Sequence, residues 1–225
     1  EFSSRYESTM LKNLFLNDRL YYLPFPGQYN CYVLNKTMFD EAGLGLPRTN
    51  DELIADLIYF KENKIGITDT GYVFGLREIF NVTIGTYLTG CMVPDFLGKP
   101  QGVEWLDNYD NRQATMKGTW EPAFSLLGQL IEHDLINVTM FSKQGNSVNC
   151  AEYLAQGKMV AGYGSSAFLR ECRELNDLQA KDGGKKYEYV MLPFLGEGNT
   201  PNWTLALPAN YIGISSALKE KGNEE

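Results

Sequence analysis

Residues Tyr32–Leu57, YVLNKTMFDEAGLGLPRTNDELIADL, hold a strand, two capped helices and the turn between them within 26 residues. Tyr32, Val33 and Leu34 read as a strand. Asn35 or Thr37 caps a short helix through Met38, Phe39 and Ala42, and Gly43 supplies its left-handed stop. Pro47 resets the chain. Thr49, with Glu52 three residues on, forms a capping box for a helix over 50–63. Leu53, Leu57 and Phe60 give that helix one apolar face. A strand followed by two helices in so short a span restricts the chain to an α/β arrangement.

The rest of the sequence agrees. Leu20–Phe25 reads as a strand after the polar turn Asn17-Asp18-Arg19. Helical patterns follow at 78–88, at 120–133 and, more briefly, at 147–156, where Gly157 closes the turn. In the second of these, Thr119 is the expected N-cap and Pro122 is tolerated in the first turn. Phe124, Leu127, Ile131 and Leu135 are its expected buried face. Residues 158–163 read as a strand, 167–180 as a helix and 187–194 as another strand. Alternating strands and helices predict an α/β fold.

A chain of 225 residues can bury one large core or two small ones. Its formal charge of −8 argues against nucleic-acid binding, which needs clustered Lys and Arg. The densest basic spot, Lys181 with Lys185 and Lys186, is read as a solvated turn. No apolar run reaches the roughly 18 residues a membrane-spanning helix needs, and the N-terminal residues do not form a signal peptide. Cys31, Cys91, Cys150 and Cys172 show no metal or redox spacing and are expected to be free, buried thiols. The sequons at Asn35, Asn81, Asn137 and Asn202 carry little weight in this composition. Both ends read as cut from a longer protein.

Catalytic chemistry finds little support. His133, the only histidine, sits late in an amphipathic helix and can face its negative end. A Cys–His pair would have to join it to a distant thiol, and a zinc site lacks imidazoles. Glu171 and Glu174 lie at helix spacing and are read as solvated. Asp107, Asn108, Asp110 and Asn111 are not followed by a calcium loop. GYGSSAF only approximates a nucleophile elbow.

The Tyr32–Leu57 string also resembles the signature "YN-(K)-x-x-F-x-x-A-G-L-x-x-P-x-T-x-x-E-L" of the family-1 extracellular solute-binding proteins, the largely sugar-binding, maltose-binding-protein-like receptors of ABC importers. Further segments resemble the family in its own order. NDRLYYLPF resembles the strand leaving the first lobe, and LAQGKMVAGYG a strand delivering a loop to the ligand cleft. YEYVMLPFLGEG and LPANYIGIS resemble a second-lobe strand and the return strand, and LKEKGNEE the helix start that follows. Asn50 departs from the family's usual Trp.

The resemblance implies a periplasmic-binding-protein-like, type II α/β fold, present mainly as its second lobe and truncated at both ends. Residues 1–27 would end the first lobe, 28–207 form the second and 208–225 return toward the first. It further implies capture of a saccharide outside the membrane and delivery to an ABC permease. No cofactor, metal or catalysis is expected, and a lipid anchor lying outside this chain is. A glycoside-active enzyme and a receptor for a non-sugar solute such as a peptide are the alternatives.

Sugar recognition needs flat apolar faces for C–H groups and polar side chains for hydroxyls. A ring burying on the order of 100 Å² would contribute roughly 2.5 kcal/mol. The positions matching the family's ligand loops are Gln28, Tyr29 and Asn30 at the lobe crossing, and Tyr72 and Phe74 before a second-lobe helix. Tyr163, Ser165 and Ser166 follow the cleft strand, and Trp203 lies in a Pro- and Asn-rich loop. Trp105 and Trp120 read as structural.

Overall fold

A computed structural model describes residues 15–16, 19–20, 23–24, 28–67, 71–76, 80–137, 150–196, 204–206 and 211–212. The chain falls into two compact units, residues 1–28 with 205–225 and residues 29–204, and so passes between them twice. In the first unit, strands β1 (Phe15–Leu16) and β2 (Arg19–Leu20) pair antiparallel, as do β3 (Leu23–Pro24) and the last strand, Tyr211–Ile212.

The second unit is organised by β4 (Gln28–Asn35). It is flanked on both sides by antiparallel neighbours, β6 (Ala161–Ser165) and β7 (Tyr189–Leu192). β5 (Phe74–Leu76) adds outside β6 in parallel, giving the order β5-β6-β4-β7. Cys31, Tyr32, Val33 and Leu34 are all fully buried, because helices cover both faces of the sheet. Alternation along the strand assigns each side chain its layer. Tyr32 and Leu34 join a core with α1 (Lys36–Ala42), α2 (Asn50–Glu62), α3 (Phe80–Met92) and α5 (Glu121–Glu132). Cys31 and Val33 point to the other layer, against α6 (Cys150–Ala155) and α7 (Ser166–Lys181). A turn of π-helix, Val93–Leu97, links α3 to α4 (Pro100–Asp110).

The caps are largely those the sequence predicts. Asn35 is the cap of α1: its Oδ1 accepts from Met38 N at 3.2 Å, and Gly43 ends the helix at φ 71°. Because Asn35 is fully buried, its sequon offers no accessible amide for a glycan. Thr49 Oγ1 accepts from Glu52 N at 3.1 Å. The return bond is displaced by one residue from a capping box: Glu52 Oε2 accepts from Arg48 N, at 2.7 Å, instead of from the Thr49 amide.

Several expectations are corrected. α5 has Trp120, not Thr119, at its N-cap, and no side chain caps it. Its buried face is Ala123, Leu126 and Leu130, while Phe124 and Ile131 are exposed. Both sets are apolar at helical spacing, and a one-residue offset rotates the face by about 100°. Of the expected set, Leu135 is fully buried beyond the helix end and Leu127 packs against the core, so the expectation fails at Phe124 and Ile131. The strand expected over 158–163 begins at Ala161, after the turn at Gly157 (φ 67°), and continues to Ser165. The strand expected over 187–194 is confined to Tyr189–Leu192, with Phe194 buried beyond it. The helices read at 78–88 and 147–156 run 80–92 and 150–155, and residues 77–79 and 147–149 lie outside the described residues.

All four cysteines are free and buried. Burial pushes the Cys31 and Cys91 thiols up to about 12. Asn176, the buried amide of α7, is satisfied on every side. Its Nδ2 donates to Ala155 O at 3.0 Å and to Lys185 O at 2.9 Å, and its Oδ1 accepts from Tyr187 N at 2.8 Å. It ties α6, α7 and the approach to β7 together, which holds the lower layer in register with the sheet.

Candidate functional site

Two places in the second unit have the polar character a solute site requires. The first is the end of the sheet where β4 enters, β6 leaves and α7 begins. Asn30 and Ser165 are cross-strand partners in the β4–β6 register. One residue further out, Tyr29 N donates to Ser166 Oγ at 3.4 Å. Tyr29 is exposed, Asn30 and Ser166 are half-buried, and Ser165 is buried at the N-cap of α7 in extended backbone. The N-terminus of α7 therefore lies beside the outer end of β4, with the Ser166 hydroxyl on the Tyr29 amide and Asn30 opposite Ser165, while the Tyr29 and Asn30 side chains leave opposite faces of the strand. Gly164 is required here by close approach: a Cβ on it would meet Phe168 Cδ1 at 2.5 Å. The ring of Phe168 thus packs directly under the turn that presents Ser165 and Ser166.

The other sequence-derived candidates fall elsewhere. Gln28 is in β4, and its side chain lies outside the described residues. Phe74 is buried against Tyr32, with ring centroids 6.2 Å apart. Tyr163 is buried too, its ring 5.2 Å from Tyr87 and 5.5 Å from Phe194. Burial pushes its phenol up to about 12, partly offset by a side-chain hydrogen bond with Thr86. Tyr72 is half-buried before β5, and Phe74 pairs with Ala161, so Tyr72 stands at the far end of β6 from Ser165. At about 3.3 Å per residue, those two levels are roughly 20 Å apart along the sheet. Trp203 lies outside the described residues. The structure thus brings Tyr29, Asn30, Ser165 and Ser166 together and leaves Tyr72 and Phe74 apart from them.

The second place is a cavity of about 930 Å³ that none of those candidates lines. Two helices contribute facing stripes to it: Gln101, Glu104, Trp105 and Asn108 from α4, and Pro122, Ser125, Leu126 and Gln129 from α5. Both stripes follow the i, i+3, i+4, i+7 spacing of one helix face. The N-terminus of α2 (Thr49, Asn50, Asp51) and the π-turn (Asp95, Phe96) close the sides, over a buried apolar floor that includes Met92 and Ala123. Trp105 stacks on Tyr109 at 5.0 Å and 21°, with the Phe96 ring edge-on at 5.9 Å. Trp105 is packed as a structural residue, as expected, and it also forms a wall of the cavity. The signal was present: Gln101, Glu104, Trp105 and Asn108 form a polar-aromatic face on a predictable helix.

Among the described residues, no group of three or more metal-ligating side chains comes together, and no helix is long and apolar enough to cross a membrane.

Comparisons with known proteins divide sharply between sequence and structure. No family model matches the sequence, and no curated protein matches it. Solved structures match well. A sugar transporter from Bacillus licheniformis in complex with stachyose aligns at TM-score 0.65 and 18% identity, over 96% of this chain and 54% of the other. This is the solute-binding-protein fold. The protein RafE in complex with raffinose aligns at TM-score 0.66 and 15% identity, over 96% and 55%. A de novo designed cysteine esterase also aligns, at 0.64 and 18%, over 98% and 51%, so the likeness fixes the fold and not an activity. The chain spans about half the length of the structures it matches.

Proposed function

We propose that this chain is the second lobe, with its crossing strands, of an extracellular family-1 solute-binding protein that captures a saccharide and presents it to an ABC-importer permease. The observation that carries the reading is the convergence of Tyr29, Asn30, Ser165 and Ser166 at one strand end, in a fold shared with stachyose- and raffinose-bound proteins. Open α/β sheets place ligands at the carboxyl ends of their strands, and Ser165 ends β6. The cluster offers both donors and acceptors and no formal charge, which suits a neutral polyol. Gln28 and Trp203 belong to the same reading at the lobe crossings, whereas Tyr163 packs in the core and Tyr72 and Phe74 lie away from the cluster and are not part of it.

Function then needs no covalent step. The ligand touches both lobes and favours the closed form by its differential affinity for it. Residues 1–27 and 208–225 belong to the first lobe, and the mature protein is held at the outer face of the membrane by a lipid anchor outside this chain. A glycoside-active enzyme would need two carboxyl groups facing one bond about 5–10 Å apart, and the strand-end cluster contains none.

The test is a thermal-shift panel of oligosaccharides on the full-length protein. A specific sugar stabilises the fold by RT ln(1 + [L]/Kd) and so raises Tm, and Asn30→Ala with Ser166→Ala cancels the shift without lowering the ligand-free Tm. Absence of a shift with every sugar, alongside a shift with peptides, sinks the saccharide reading.

A further inference from the structure

The cavity between α4 and α5 is built like a solute site, yet it lies apart from the strand end. It is lined wholly by residues of the second unit, so it is complete without a second lobe. Its volume of about 930 Å³ accommodates a small oligosaccharide. Its chemistry is selective. Lys, Arg and His are absent from the lining, whereas Asp51, Asp95 and Glu104 are present, with Asp95 paired to Lys99 at 3.9 Å, so the wall is net negative and disfavours an anion. Gln101, Asn108 and Gln129 supply amides that donate and accept, and Thr49, Thr119 and Ser125 supply hydroxyls. Carboxylates accept short, strong hydrogen bonds from hydroxyl groups. Asn50, also in the wall, spends its Nδ2 on Leu195 O at 3.0 Å and keeps a buried Oδ1 without a partner. Trp105 and Phe96 provide apolar surface among these polar groups, the combination that C–H faces and hydroxyls of one ring require.

We propose that this cavity is a second saccharide-binding site, contained in one lobe and independent of the strand-end cluster. It would hold a neutral sugar of two or three rings between the Gln101–Asn108 stripe and the Ser125–Gln129 stripe, with Glu104 and Asp51 accepting from hydroxyls. A site of this kind lets the protein engage a polymeric or branched sugar at a point its cleft does not reach.

The experiment titrates the 225-residue chain with raffinose, maltotriose and chitotriose in turn, by calorimetry and by Trp emission. At least one trisaccharide is expected to bind and to change Trp emission. Glu104→Gln, at an exposed position, and Gln129→Ala, at a half-buried one, are each expected to weaken it about tenfold. Trp105→Ala is expected to abolish it, with a circular-dichroism melt confirming that the variant is folded. Asn30→Ala with Ser166→Ala is expected to leave this binding unchanged. Binding lost in the strand-end variant and untouched by Glu104→Gln and Gln129→Ala overturns this proposal while supporting the cleft. No binding by any of the three sugars at 50 mM, or binding of spermidine in their place, overturns it as well. Sugar binding in the full-length protein that survives all cavity variants leaves the cleft reading standing alone.

Discussion

In β4, four consecutive residues from Cys31 to Leu34 are fully buried, whereas on α5 Phe124 and Ile131 are 52% and 42% exposed. α4 repeats the pattern, with Val103 54% and Leu106 41% exposed. The sheet is covered on both faces by helices, so every side chain of its central strand has a layer to enter. The helical flank is packed from one side only. Its apolar residues exceed the surface available to cover them, and its two polar stripes stand apart with a cavity between. Stability is therefore concentrated at the sheet, and freedom to vary, and to bind, at the flank.

The largest effect should come from the sheet. Tyr32 sits among Phe74, Tyr87 and Phe194, with ring centroids at 6.2, 6.2 and 5.6 Å. Tyr32→Ala is expected to cost about 3–5 kcal/mol in urea unfolding, through lost burial and the cavity left behind. On the flank, Leu130→Ala should cost about 2–5 kcal/mol, while Phe124→Ala, one face away, stays within about 0.5 kcal/mol. Equal losses at the two positions would show that α5 is turned to the face its sequence first favours, and the comparison would fail.

Thr49→Ala tests the junction between the regions, since Thr49 both caps α2 and lines the cavity. Loss of the cap is expected to cost about 1 kcal/mol. The smallest effect concerns Asp56 of α2, pushed up to about 6 by burial and, secondarily, by the charge of Glu52. In the unfolded chain it titrates near ~3.9, so the fold holds this proton more tightly than the unfolded state does. Its favourable contribution is complete below about pH 4 and is lost as pH rises to about 6. Asp56→Asn should therefore stabilise the protein near pH 7 by on the order of 1 kcal/mol, after allowance for solvent screening, and flatten that part of the pH profile. A stability curve with the same slope between pH 4 and 6 in both proteins would refute the assignment.

Local signals were legible wherever the deciding chemistry is short-range. Asn35 and Gly43 bracket α1, Thr49 starts α2, and Leu53, Leu57 and Phe60 are buried, as the spacing predicts. Residues 28–30 and 165–166 were expected as site candidates through family order, and strand pairing brings Tyr29 and Asn30 beside Ser165 and Ser166. Other features were not legible, for stated reasons. α5 carries two apolar stripes, and only the neighbours that cover one of them choose between the two. β6 proper begins at Ala161, four residues after the positive-φ turn at Gly157, although Val160 already bonds to Asn35 and Val73. Tyr72 and Ser165 both read as loop residues near strands, and only the parallel β5–β6 register puts them at opposite ends.

The sequence by itself determined the α/β class, the caps of α1 and α2 and the buried free thiols, because each follows from bonding within a few residues or from composition. Tertiary structure alone decided which helix faces are buried, which candidate residues meet, and that a polar-aromatic stripe on α4 faces another on α5. Those outcomes depend on contacts between elements tens of residues apart, which no local pattern encodes.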